Sequence, residues 1–375
     1  MKNSNFNWVP GLFLITYHLV LLVVLPLYVI QNGFPWKLAL LSFLLVYVTG
    51  ISVTAGYHRL YSHLTYKINP VVEGFLLFFS TMATQGSALR WAYDHRCHHA
   101  FLDTDRDPHS IKRGFWHAHF LWLFEKPKPI ENKVVADLLR NPLVRFQHRF
   151  YPVLMLLTNT VFFLFVGWCF NNYWGAFVFA WLFRTFLLHH FTWFINSLAH
   201  TWGSRPFSQE ISAFDNYVLC LLTFGEGYHN YHHMFAYDYR NGIRWYHFDP
   251  TKWLIWTLHK CKLAYQLRKV PAYLIQETLL LERKQLLMEK IQTRLSSQKE
   301  EWEEKITALI ETVLGKAKQV KELNDQYYAL KKEKIKEKGC LRDLNLQIKA
   351  LNKSLKEEYR RWIALYRHVN TIASH

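Results

Sequence analysis

The stretch "VVEGFLLFFSTMATQGSALRW", residues 71–91, decides the fold. Its length would suffice to cross a bilayer, since a helical span takes about 20 residues. The run is nevertheless broken by "TQGS" (84–87) and carries Glu73 and Arg90, charges that a lipid interior tolerates poorly. On either side lie "HRLYSH" (58–63) and "HRCHH" (95–99). A spanning segment would put these histidines on opposite membrane faces, whereas a surface-lying or re-entrant one keeps them together. The breaks and the charges predict the second arrangement.

Around this segment stand four apolar runs of spanning length: Trp8–Ile30, Trp36–Tyr57, Tyr151–Phe170 and Trp174–Leu198. The first is too long for a signal peptide and lacks a small-residue cleavage pattern, so it reads as a retained span. Two connections are tiny, "QNGFP" (31–35) and the residues around Asn171-Asn172. The opposite side carries thirteen Lys or Arg between Arg59 and Arg149, and the segment beyond His200 is basic too. The positive-inside bias therefore places both termini, the 58–150 loop and the region beyond 200 in the cytosol. The net charge of +17 and pI near 9.5 suit anionic lipid or phosphate-bearing substrates, and with spans present no nucleic-acid partner is expected. Five scattered cysteines (Cys97, Cys169, Cys220, Cys261, Cys340) without a C-x-x-C pair exclude a disulfide framework and an iron–sulfur site.

Under this topology all the histidine groups share one face. His95, His98 and His99 converge if their stretch is helical, as do His229, His232 and His233 in "YHNYHH" (228–233), because positions i, i+3 and i+4 lie on one side. Asn196 and His200, in "NSLAH", share a face at the mouth of the fourth span. His58 and His63 diverge by roughly 140° on an ideal helix. They meet only if the second span unwinds near Tyr57–Leu60, unless each serves a different metal. A lone histidine at a membrane surface is ordinarily an interfacial polar group. Nine of them in four spaced clusters exceed the four ligands of structural zinc and point to two metals. Imidazole suits Fe, Zn, Cu and Ni alike, so the donor type alone leaves the metal open. His117, His119, His189 and His190 keep the bland reading of polar groups near the surface or within the fourth span.

"HRLYSH", "HRCHH" and "GEGYHNYHH" (225–233) resemble the three histidine boxes of the membrane fatty acyl desaturases, specifically the stearoyl-CoA (delta-9) type. The likeness runs from Trp36 to Pro271 and includes "TAGYHRLYSH", "DPH" (107–109), "NSLAH", "RPFSQEISAFDN" and "FDPTKW". It implies an all-α integral membrane protein, with four transmembrane helices under a cytosolic helical cap that holds a histidine-rich di-metal site. It implies two iron ions, with zinc as the substitute in overexpressed protein. The ligands it implies are His58, His63, His95, His98, His99, His200, His229, His232 and His233, with Asn196 reaching one metal through water. Asp94, Asp103, Asp107 and Glu226 are candidates to orient the rings. Gln85, Trp91, Thr192 and Trp193 match residues that shape a kinked acyl channel, and Arg184, mid-span, reads as internal support.

The implied reaction is O₂-dependent insertion of a cis delta-9 double bond into an acyl-CoA. Electrons would come from a separate ferredoxin or small cytochrome with its reductase, since no His-Pro-Gly-Gly haem stretch occurs. Gly86, Tyr93 and Leu64 depart from the animal pattern, which leaves the head-group handle open. A di-iron lipid hydroxylase, an acyl-lipid desaturase and a non-catalytic metal-binding membrane protein are the competing readings.

Beyond Pro271 the composition turns to Glu, Lys, Leu and Gln without proline, which sets a membrane domain (1–271) apart from a helical tail (272–375). Trp302, Ile306, Leu309, Val313, Val320, Leu323, Tyr327 and Leu330 follow a 4-3 alternation interrupted at Lys316. A second run is Leu341, Leu344, Ile348, Leu351 and Leu355, with Gly339 separating the two. The pattern predicts a coiled coil, either folded on itself or self-associating.

Overall fold

The computed structural model describes residues 6–294, 299–332 and 338–372. They form two compact units, one of Met1–Arg205 with Glu210–Lys269 and one of Pro206–Gln209 with Val270–His375. The first is almost wholly helical. Its elements are α1 (Trp8–Asn32), α2 (Trp36–Ser52), α3 (Pro70–Met82), α4 (Ala88–Ala100), α5 (Phe115–His119), α6 (Pro142–Phe170), α7 (Tyr173–Ala176), α8 (Arg184–Asn196), α9 (Tyr217–Leu222), α10 (His229–Met234) and α11 (Pro250–Lys260). A short antiparallel ladder pairs Lys67 with Tyr265 and Ile68 with Ala264.

Four helices are long and apolar enough to cross a membrane: Trp8–Asn32, Trp36–Ser62, Pro142–Phe170 and Tyr173–His200. Their outward faces stay apolar, with Leu12, Leu22 and Val23 of α1 and Val153, Leu157, Val161 and Trp168 of α6 exposed. Such a belt suits lipid. The helices outrun the apolar runs because polar caps set their ends. The Asn141 side chain accepts from the Leu143 and Val144 N–H groups and so starts α6, and Asn171 closes it in the left-handed conformation (φ 49°).

The segment that decides the fold does not cross. α3 spans 13 residues, about 20 Å of helix against a hydrocarbon core of about 30 Å. Asn69 caps its start by accepting from Val71 N–H. The "TQGS" break then becomes a turn with Thr84 (φ 58°) and Gly86 (φ 90°) in the positive-φ region. Ser87 caps α4 through Arg90 N–H. The chain folds back, and His63 Nε2 and His95 Nε2 end 2.8 Å apart.

Arg184 shows how the interior handles a charge. Its Nη2 donates to Met82 O (3.0 Å) and Asn159 Oδ1 (2.5 Å), tying α8 to α3 and α6. A π-helical stretch, Phe177–Phe183, leads into it.

The second unit contains α12 (Ala272–Arg294), α13 (Lys299–Lys332) and α14 (Lys338–Ile372). Contacts of Lys316 with Glu358 and of Trp302 with His368 make α13 and α14 antiparallel. Those of Arg283 with Tyr359 and Lys290 with Asn370 make α12 and α14 parallel. The bundle thus has three helices where the heptad pattern marked two. The buried stripe of α13 is Ile306, Ile310, Val313, Ala317 and Val320. It shares every seventh position with the expected seam but takes Ile310 and Ala317 in place of Leu309 and Lys316. A third helix widens the face that must be covered, and this rotates the helix. Lys316 sits at the edge of the stripe and pairs with Ser354 (2.8 Å) and Glu358 (2.9 Å). Gly339 falls within the first turn of α14, and the residues joining α13 to α14 lie outside those described.

Candidate metal centre

Histidines from four stretches of the chain meet: 58–63, α4, 198–200 and α10. His58, His63, His95, His99 and His232 form one group and His98, His200, His229 and His233 a second; within each, the candidate ligand atoms lie within 4.8 Å of one another. All nine histidines singled out from the sequence are therefore brought together. Every one is buried or half-buried.

The pair that an ideal helix would separate is joined by a local change of winding. Val53–Ser62 is π-helical, and His63 N–H donates to His58 O (3.1 Å), an i→i+5 bond. Residues five apart then share a face, and the two rings stand with centroids 4.8 Å apart. π-turns of this kind are rare and concentrate at functional sites. Of the two alternatives the sequence left open, unwinding near Tyr57–Leu60 is the one seen, in this form.

Outward contacts fix several rings. His98 Nδ1–H donates to Asp107 Oδ1 (2.9 Å). His200 Nδ1–H donates to Ser212 Oγ (2.7 Å), whose hydroxyl donates to Asp103 Oδ1 (2.6 Å). His58 Nδ1 lies 3.0 Å from Glu226 Oε2. With the protons on Nδ1, the Nε2 lone pairs point inward. His58 Nε2 then faces His232 Nε2 at 3.0 Å, His98 faces His233 at 3.3 Å, and His200 faces His229 at 3.0 Å. Burial, reinforced by the neighbouring imidazoles, holds His63, His95, His99, His232 and His233 well below the usual histidine range, and so neutral. Neutral imidazoles crowding their lone pairs onto two points call for cations, and an all-nitrogen set suits a transition metal.

Of the four acids considered from the sequence, Asp107, Asp103 and Glu226 support rings. Asp94 instead pairs with Arg90. Sequence reasoning missed Arg59. It is buried beside His58, and its Nη2 donates to Glu226 Oε1 (2.8 Å) and Asp249 Oδ1 (2.9 Å). Burial alone would raise the Glu226 carboxyl, but the charge of Arg59 and the hydrogen bonds it donates hold it down, at about 2. One ionic cluster thus locks the first box to the third and to the "FDPTKW" stretch; both ends lay inside quoted motifs. His109, whose ring packs 4.3 Å from that of His98 and whose Nδ1 lies 3.8 Å from Asp107 Oδ1, was also passed over, although "DPH" contained it.

Beside the metal groups runs a cavity of about 430 Å³. His58, His95 and His229 line it, together with Gln85, Trp91, Thr192, Trp193 and Asn196. The Trp91 indole stacks on His95 with centroids 5.0 Å apart. Gln85 Nε2 donates to Thr192 Oγ1 (2.9 Å), bridging the turn after α3 to α8. Arg90, Arg106, Arg113, Lys126 and Lys128 also border the space.

Four helices long and apolar enough to cross a membrane, together with a dense histidine core, fit a membrane protein with a site for metal. The family model "Fatty acid desaturase" matches residues 34–268, and the chain belongs to that family. Among curated relatives it is 40% identical over 277 residues to "Probable acyl-CoA desaturase" of Schizosaccharomyces pombe, covering 72% of this chain and 58% of the relative. It is 38% identical over 287 residues to "Acyl-CoA desaturase 1" of Saccharomyces cerevisiae, covering 74% and 55%. With "Stearoyl-CoA desaturase" of Sus scrofa it shares 36% over 265 residues, covering 68% and 70%. The chain thus spans little more than half the length of the two fungal relatives.

Proposed function

We propose that this protein is an integral membrane fatty acyl desaturase that uses O₂ and external electrons to insert a cis double bond, at delta-9, into an acyl-CoA. The observation that carries the reading is the cavity itself. One pocket, lined by the indoles of Trp91, Trp122 and Trp193, is walled by three of the nine clustered histidines. Two iron ions would be held by the groups of five and four histidines, Asn196 approaching through water. When bound, they supply the reduced-oxygen oxidant that unactivated methylene hydrogens require. Zinc would occupy the same nitrogens in overexpressed protein.

The chain's own residues do the rest. Asp107, the Ser212–Asp103 pair and Glu226 orient the rings and keep Nε2 unprotonated. Trp91, Thr192 and Trp193 fix the path of the acyl chain, and Gln85 holds Thr192 in place. The cavity border is of mixed charge, Arg90 pairing with Asp94 and Arg113 with Glu125, and Arg106, Lys126 and Lys128 are the basic groups there that suit the phosphates of a CoA head group. The metal face, both termini and the basic loops would lie in the cytosol. There an acidic ferredoxin or small cytochrome, served by its reductase, would dock by charge. The test is expression in a desaturase-deficient host, with double-bond position read by mass spectrometry. Restored unsaturation at carbon nine supports the reading. Hydroxylated products would replace it with the hydroxylase, and unchanged lipids would defeat it.

A further inference from the structure

Outside the metal groups lies a second set of imidazoles, drawn from three elements. His18 Nδ1–H donates to Leu14 O (2.7 Å), so its Nε2 is an acceptor, and it stands 3.3 Å from His190 Nε2. His190 Nδ1 is 3.1 Å from His119 Nε2, and His119 Nδ1 is 2.9 Å from Ser197 Oγ. In parallel, His189 Nε2–H donates to Ala83 O and Thr84 O (3.1 Å each), and Tyr17 O–H donates to His189 Nδ1 (2.8 Å). The ring nitrogens follow one another in a line and do not converge on a point, which separates this set from the metal groups.

All four imidazoles surround one indole. His18 stacks parallel to Trp193 at 6.2 Å, while His189, His190 and His119 stand 5.1, 5.0 and 5.7 Å from it. Trp193 is buried and lines the cavity beside Thr192. Apolar rings would fill the same space within a membrane helix without needing partners. Ionisable side chains in such a segment mark function. Hydrogen bonds add what packing lacks, a fixed orientation for every ring.

We propose that Tyr17, His18, His119, His189 and His190 are positioning residues that hold Trp193 at one setting against the cavity, so that a single carbon–carbon bond of the acyl chain faces the metal groups. This rests on the desaturase reading. The collar ties α1, α5, α8 and the turn at Ala83–Thr84 to one indole. A loosened indole would let the chain slide by a methylene, and shifts near an ångström cost reactivity steeply.

His190→Phe keeps the ring contacts and removes both hydrogen bonds. His190→Asn keeps an acceptor where Nδ1 meets His119. The purified proteins are compared for metal per chain, binding of stearoyl-CoA, and double-bond positions formed from palmitoyl-CoA and stearoyl-CoA. H190F should retain metal and bind stearoyl-CoA within about threefold. Its kcat should fall by about tenfold or more, with products spread over neighbouring bonds. H190N should recover most of the single-bond selectivity. Should H190F fail to insert, His18→Phe breaks the same line from its other end and is read in the same way. A variant that makes the single wild-type product at the wild-type rate overturns the collar, as does one that loses metal with its remaining product unchanged. If the unsubstituted protein forms no double bond from either thioester, the desaturase reading falls first and the collar with it.

Discussion

Arg59 is the residue on which the arrangement of the histidines turns. A buried guanidinium with two carboxylates is costly to create and more costly to break, because removing it strands Glu226 and Asp249 without their counter-charge. Arg59→Met should destabilise the fold by about 3–5 kcal/mol and lower metal content, measured as melting temperature and metal per chain on the purified protein. Loss of a ligand acts differently. His98→Ala with His232→Ala removes one nitrogen from each metal group and should abolish turnover while the helices still insert. Full activity in that double variant would defeat the di-iron assignment. The clustering of His95, His98 and His99 and of His229, His232 and His233 was legible in the sequence because i, i+3, i+4 spacing needs only helix geometry. Arg59 was not, because its partners lie more than 160 residues away in sequence, and a charge beside a histidine box reads equally well as solvated.

At the scale of elements, two backbone devices bring the boxes into register, the π-helical stretch Val53–Ser62 that follows α2 and the close approach of "GEG". A Cβ on Gly227 would meet Asn216 O at 2.5 Å and Cys220 N at 2.6 Å, and Gly225 has φ +97° against Asp249. Gly227→Ala must therefore push α10 away from α9. The expected result is protein that still inserts but carries less metal, with His229, His232 and His233 displaced together; normal metal content would show that the loop yields. The Thr192 hydroxyl should help set which chain lengths are accepted, since it anchors Gln85. Thr192→Val, which keeps the volume and loses that bond, should shift the product profile before it shifts metal content. Four spans and the broken run at 71–91 were readable from hydropathy alone. The π-turn was foreseen only as a geometric need, since nothing in "TAGYHRLYSH" marks where the extra residue enters the turn. The seam of α13 was one position off at two sites because heptad spacing does not say how many helices share a core.

At the scale of the whole molecule, each unit buries its own apolar core. One is built around Tyr57, Leu89, Ala92 and Leu188, the other around Leu287, Ile306, Ile310 and Trp362. All nine candidate ligands and the cavity belong to the first unit. Within the second, Gln209 N–H donates to Glu282 Oε1 (2.6 Å), so a deletion of the tail reaches back through the segment 206–209 into the chain between His200 and His229. Truncation before Ala272 should leave insertion and about two metal ions per chain, with turnover lowered a few-fold through the loosened 206–209 segment. Glu282→Gln, which keeps an acceptor for Gln209 N–H, should leave turnover intact. Trp362→Glu should unfold the bundle, because burying an unpaired carboxylate in a closed apolar core is strongly unfavourable. Its consequence for the membrane unit should match truncation. Self-association through the tail should be lost in both variants, measured as particle mass in detergent. A truncated protein that inserts yet carries no metal would show that the bundle is needed to assemble the centre, and that the two cores are not independent.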